Sequence, residues 1–367
     1  PIGLRHEAAG AFSASDPGRD IPDTGEPGTA GPGTAGSGTR EPGTVGSGTA
    51  RHGTREPGAA GSGTRQPATA GQGAGGAGSG DGWSNDAGSG WWAASLPLAG
   101  ALPAELLRIT RTPVDGRPFR PAPAGRPAAG VRVLDLTRVI AGPVATRTLA
   151  FLGADVLRID PPGLPEIPEQ HLDVGFGKRS TLLDLADGGD RAVFDELLDT
   201  ADVIVTGYRP GALDRLGVTP EALRERRPDL IVAQLSAWGE GGGRGFDSLV
   251  QAATGIAVVE GDGAPGALPA QALDHGTGYL LAAAVLLALA DRGRGVAHTV
   301  DAALAATARW LLDAPPAPRA AEPIEPTVGT AGGLTYALPA FTLPGGPRTW
   351  RSPPTPWGRD RPQWRNR

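Results

Sequence analysis

The stretch Ala272-Leu273-Asp274-His275-Gly276-Thr277-Gly278, followed by an apolar run from Tyr279 to Ala290, is where the residue types allow chemistry. Gly276 and Gly278 let a backbone or a ligand come close, while Leu280, Ala283, Ala284, Leu287 and Ala288 recur at helical spacing. An aspartate entering a helix lies near the positive end of its dipole, which favours the ionised form by roughly 0.3–1 kcal/mol. An ionised, accessible carboxylate is a nucleophile. The same place is also the ordinary one for an N-cap aspartate, so the stretch alone leaves both roles open. The run is about 12 residues long, short of a bilayer span, and Asp291-Arg292 closes it, so a core helix is expected and no membrane partner.

The elements that must position this carboxylate begin near Gly130. Val131–Leu136, Asp155–Ile159, Ser180–Leu185, Asp202–Thr206 and Leu230–Leu235 read as strands, with a further one near Val296–Val300. Helical spacing separates them at Pro143–Leu152, Asp190–Thr200 and Ala302–Leu312. Another helix starts at Thr219-Pro220-Glu221, Thr as cap and Pro in the first turn, and ends before Pro228. Strands that alternate with helices and are apolar on both faces predict an α/β, Rossmann-like, mostly parallel sheet covered on both sides.

The rest of the chain differs. Gly-Thr recurs every five residues at Gly28, Gly33, Gly38, Gly43, Gly48, Gly53 and Gly63, and apolar residues are almost missing there. Such a segment buries too little to offset its ordering entropy, so residues 1–90 are expected to be a disordered low-complexity repeat. Residues 91–129 read as a linker with one short helix at Pro103–Arg108, and 130–313 as the folded domain. Residues 314–367 form a Pro/Gly-rich tail whose Trp350, Trp357 and Trp364 suit an irregular strap over that domain.

Composition excludes several classes. There are no cysteines, so no disulfide or thiolate zinc site exists, which fits a reducing compartment and a cytoplasmic location. A net charge of −5 argues against a nucleic-acid surface. No signal peptide is legible, and a chain that starts at Pro1 and lacks methionine is processed or a fragment. His6, His52, His171, His275 and His298 lack metal-ligand spacing, so no metal is expected. The turn Thr137–Pro143 carries no G-x-G-x-x-G, and neither a Walker A loop nor a G-x-S-x-G elbow occurs. Glu240-Gly241-Gly242-Gly243-Arg244 suits approach to a phosphate or thioester, and equally a plain flexible connector.

Six blocks stand in one order: Leu134–Pro143, Leu152–Val156, Gly177–Ser180 with Leu183–Leu185, Arg209–Gly217, Phe246-Asp247 with Gln251-Ala252, and Ala272–Tyr279. The series resembles the family III CoA-transferases (CaiB/BaiF type) over about Gly130 to Leu312. The resemblance implies a CoA-transferase moving CoA between an acyl-CoA and a carboxylic acid through an aspartyl anhydride and thioester. Asp274 matches its nucleophile. Ile140, Ala141, Leu183, Leu185, Gly207, Tyr208, Arg209, Arg215, Arg244 and Phe246 match CoA-contact positions, with Gly207 standing where an Asn is frequent. Coenzyme A thioester is then a substrate, no cofactor is permanently bound, and a homodimer is expected. Two alternatives remain. A racemase of the same fold needs a histidine where Phe246 stands, and phenylalanine takes no proton. A truncated, non-catalytic CoA-binding remnant fits the mere 55 residues after Leu312.

Overall fold

The computed structural model describes residues 106–115, 125–240, 242–261, 263–314 and 327–365. The five-residue repeat and the start of the Pro103–Arg108 segment lie outside them.

Seven strands form one sheet: β1 (Leu107–Pro113), β2 (Arg132–Leu136), β3 (Asp155–Asp160), β4 (Arg179–Leu182), β5 (Val203–Thr206), β6 (Ile231–Ser236) and β7 (Val296–Ala303). Their order is β1-β7-β6-β5-β2-β3-β4. All neighbours are parallel except β1, which runs antiparallel to β7. Successive residues of each central strand serve opposite cores. Val133, Val203, Val205 and Ile231 enter one core with helices α1 (Ala141–Phe151) and α7 (Ala272–Arg292). Leu134, Leu157, Ile204 and Val232 enter the other with α3 (Gly188–Leu198) and α4 (Pro220–Arg226). Each fully buried aliphatic side chain contributes roughly 1.5–3 kcal/mol, and a one-residue slip would send every side chain of a strand into the opposite core and disrupt the packing of both. Thr219 caps α4 by accepting the Ala222 N–H at 3.2 Å, and Asp187 caps α3. The remaining helices are α2 (Pro168–Val174), α5 (Asp247–Thr254), α6 (Ile256–Val259) and α8 (Leu304–Asp313).

Three expectations are corrected. Arg108, read as the end of a short helix, lies in β1: its β-branched neighbours Ile109, Thr110 and Thr112 find a partner edge in β7, and tertiary pairing overrides local propensity. Helix α7 starts at Ala272 and runs 21 residues, so the two glycines are inside it. Among the described residues it is a helix long and apolar enough to cross a bilayer, yet Leu281, Ala284, Val285 and Ala288 are buried in the core shared with α1. The tail also holds a hairpin, β8 (Val328–Ala331) with β9 (Leu334–Ala337), turned by Gly332 and Gly333 at positive φ.

Beyond the hairpin the tail crosses the sheet by its tryptophans. Trp350 packs among Phe151, Phe176 and Tyr336. The indole N–H of Trp357 donates to Asp160 at 3.0 Å and that of Trp364 to the Leu197 carbonyl at 3.2 Å. Asp360 accepts the Ser180 N–H and donates its own to the Ser180 carbonyl, both at 2.8 Å, so the edge of β4 is covered by the chain's own tail.

Candidate active site

The chain leaves β2 in one direction to build β3 and β4, then returns to the other side of β2 for β5, β6 and β7. The reversal falls at the carboxyl ends of β2 and β5, the place where sheets of this kind bind ligands. Thr137–Ala141 and Gly207–Arg209 follow those two strands directly, and the first turn of α7 arrives at the same edge because α7 runs back along the sheet into β7.

The turn after β2 is built on buried charge. Asp135 accepts from the N–H and hydroxyl of Thr137, from the Thr146 hydroxyl at 2.6 Å and from Lys178 Nζ at 2.9 Å. Lys178 also donates to the Pro143 carbonyl at 2.9 Å, and burial pushes its pKa down to about 8. These bonds explain why Leu-Asp-Leu-Thr, Gly-Pro and Gly-Lys-Arg belong to one pattern: they are three walls of one buried ion pair. A second cluster holds the outer half of the turn. Arg158 binds both oxygens of Asp160 and, at 2.8 Å, Glu166, whose carboxylate accepts the Val139 N–H at 3.1 Å. Val139 is thereby held at φ 66, a left-handed conformation that a β-branched residue adopts only under constraint. Ile140 and Ala141 come next, at a helix start without a side-chain cap. A Cβ on Gly207 would lie 3.3 Å from the Thr137 Cβ, so glycine packs the turn after β5 onto the turn after β2.

Asp274 sits in the first turn of α7, and Gly278 places that turn against α1: a Cβ there would lie 2.5 Å from the Ala141 carbonyl oxygen. Ile140, Ala141 and Asp274 are therefore brought to one corner of the edge. Asp274 is only 8% exposed. Its N–H donates at 2.9 Å to Asp247, a carboxylate on α5 that also accepts from Gln251 Nε2, while Gln251 Oε1 accepts the Leu268 N–H at 2.8 Å. Burial first, and the charge of Asp247 second, push the Asp274 carboxyl up to about 7. The helix dipole, expected to hold it ionised, is outweighed by both. Among the described residues no hydrogen-bond donor reaches its carboxyl oxygens.

The other expected contacts are spread along the same edge. Tyr208 is half-buried, and burial raises its hydroxyl to about 12, so it remains a phenol. It borders a cavity of about 670 Å³ with Thr206, Gln234, Ser236 and Asp301. That cavity lies on the α4 side of the sheet, across from Asp274, which does not line it. Arg209, Arg215, Arg244 and Phe246 are exposed. Leu183 is 3% exposed and belongs to the core, with Leu185 packed beside it, so these two shape a wall and offer little surface to a ligand. The hydrogen bonds of Asp247 and Gln251 escaped the sequence: an acid and an amide four residues apart signal one helix face, but their partners lie 27 and 17 residues further on.

Over 199 residues the chain is 37% identical to a probable fatty acyl-CoA transferase, Rv3272, of Mycobacterium tuberculosis, covering 49% of this chain and 50% of that protein. It is 40% identical over 162 residues to the acetyl-CoA:oxalate CoA-transferase of Acetobacter aceti, covering 40% of this chain and 42% of that protein. The crystal structure of Rv3272 aligns with 52% of this chain and 57% of its own, at 37% identity and a TM-score of 0.49. The chain spans about half the length of the curated relatives it matches. The family model of CoA-transferase family III matches residues 129–338, more than half of the sequence, and the chain belongs to that family.

Proposed function

We propose that this chain transfers CoA between carboxylic acids, with Asp274 as the nucleophile. The observation that carries the reading is the state of that carboxyl: at the ligand-binding edge, without a hydrogen-bond donor among the described residues, and held near neutrality. Such a group is ionised in good part at neutral pH and more basic, hence more nucleophilic, than an ordinary aspartate.

Its oxygen attacks the thioester carbonyl, the C–S bond breaks, and CoA leaves as a thiolate from an acyl-aspartyl anhydride. The thiolate adds to the Asp274 carbonyl and releases the donor acid, leaving an aspartyl-CoA thioester. The acceptor carboxylate attacks that thioester and expels the thiolate, which then opens the second anhydride at the acceptor carbonyl. A new acyl-CoA departs and Asp274 is regenerated. Ile140, Ala141, Gly207 and Tyr208 stand just past the carboxyl ends of β2 and β5, where the thioester arm would lie, and the exposed Arg209, Arg215 and Arg244 suit its phosphates. A homodimer accords with the exposed apolar side chains of Phe246, just before α5, and of Leu249, Val258, Val259 and Trp310 on α5, α6 and α8.

A second reading, CoA binding without transfer, is favoured by the 8% exposure of Asp274 and by the cavity lying across the sheet from it. The names of the relatives choose the test panel: acetyl-, formyl- and fatty acyl-CoA as donors, oxalate and longer acids as acceptors. Chromatography should show a new acyl-CoA with at least one pair and none with Asp274→Asn. Binding of CoA without exchange in any pair would establish the second reading.

A further inference from the structure

We propose that Asp247, together with Gln251, is a positioning residue for the Asp274 nucleophile, clamping both the first turn of α7 and the segment that leads into it. The inference rests on the transfer reading above and adds a residue to it.

Helix α7 has no side-chain cap of its own: Gln271, at its N-cap, makes no capping hydrogen bond. The cap comes from another helix instead. Asp247 is 2% exposed, and its two oxygens take the Asp274 N–H and the Gln251 amide. Gln251, itself buried, passes the constraint on by accepting the Leu268 N–H. One acid and one amide, a helical turn apart on α5, thus hold both ends of the stretch 268–274 to one rigid element. A serine or aspartate at position 271 would cap the helix equally well. Only a carboxylate at position 247 also sets a negative charge beside the nucleophile, where it adds to the upward push that burial gives Asp274. The other charged groups nearby act one residue along: His275 feels the charges of Arg147 on α1, Asp173 on α2 and Asp247 itself, and α8 presents the uncharged Thr307 to Thr277.

The test separates clamp from charge. In Asp247→Asn the new NH2 must face either the Asp274 N–H or the Gln251 amide, and one bond is lost. In Asp247→Asn/Gln251→Glu the amide accepts from Asp274 and donates to the new carboxylate at 251, which still accepts from Leu268. The clamp returns with its charge moved away from Asp274. Full-length protein is reacted with acyl-CoA, the rate of acylation at Asp274 is read by mass spectrometry across pH, and its side-chain carboxyl is titrated by carbon NMR. The single variant should slow acylation by about tenfold or more, and the double variant should recover most of it. In the double variant the titration midpoint of Asp274 should fall by about one unit. Equal rates in all three folded proteins, or a double variant as slow as the single one, would overturn the proposal. Absence of acylation in the wild type would sink the transfer reading alone, because amide hydrogen exchange at Asp274 and Leu268 still reports on the clamp: protection that is unchanged in Asp247→Asn overturns the inference by itself.

Discussion

The main-chain N–H of Asp274 donates at 2.9 Å to the carboxylate of Asp247, so a buried acid is fastened by another buried acid. The arrangement costs stability. The folded-state pKa of Asp274 stands near 7 against an ordinary value near 3.8. The folded protein therefore holds this proton more tightly than the unfolded chain, and the penalty grows as pH rises from about 4 through about 7. Asp274→Asn should stabilise the protein by about 1–4 kcal/mol at pH 8, with the gain fading towards pH 4. Urea denaturation of both proteins across that range checks it.

The pair Asp135–Lys178 predicts the opposite sign. Both side chains are at most 2% exposed and bind Thr146 as well. Lys178→Met leaves a buried carboxylate unpaired and should cost about 3–5 kcal/mol. Replacing both partners, Asp135→Leu with Lys178→Met, should restore much of that loss, measured as the coupling in a double-mutant cycle.

Gly278 gives a case in which a helix-favouring change does harm. In an open helix, glycine to alanine gains about 1 kcal/mol. Here the added methyl would meet the Ala141 carbonyl and the Val144 side chain at under 3 Å, so α7 must lift from α1. Gly278→Ala should lose about 1–3 kcal/mol in chemical denaturation.

Val139→Gly should gain about 0.5–1 kcal/mol, since relief of the left-handed strain exceeds the entropy that glycine adds to the unfolded chain. The Glu166 contact is to the main chain and survives. A matched drop in affinity for CoA, by calorimetry, would show that the strain serves binding.

Much of the fold was legible because its strands and helices carry local signals: β-branched runs buried on both faces, and Thr219-Pro220 at the head of α4. The start of α7 was not, because Gly276 and Gly278 look like a loop until α1 is there to demand a residue without a Cβ at 278. Strand β1 was hidden for a similar reason, as its partner β7 lies almost 200 residues away. At the site, the place of Asp274 before an apolar run was readable. Its protonation was not: burial and Asp247 are facts of packing, and the dipole argument used only neighbours in sequence.

The most direct test is chemical. The protein is mixed with an excess of acyl-CoA, quenched with hydroxylamine and digested, and the peptide carrying Asp274 is weighed. A hydroxamate on that aspartate, absent when free CoA replaces the thioester, is the result predicted here. An unmodified Asp274 with every acyl-CoA of the panel, from a protein that nevertheless binds CoA, would contradict it.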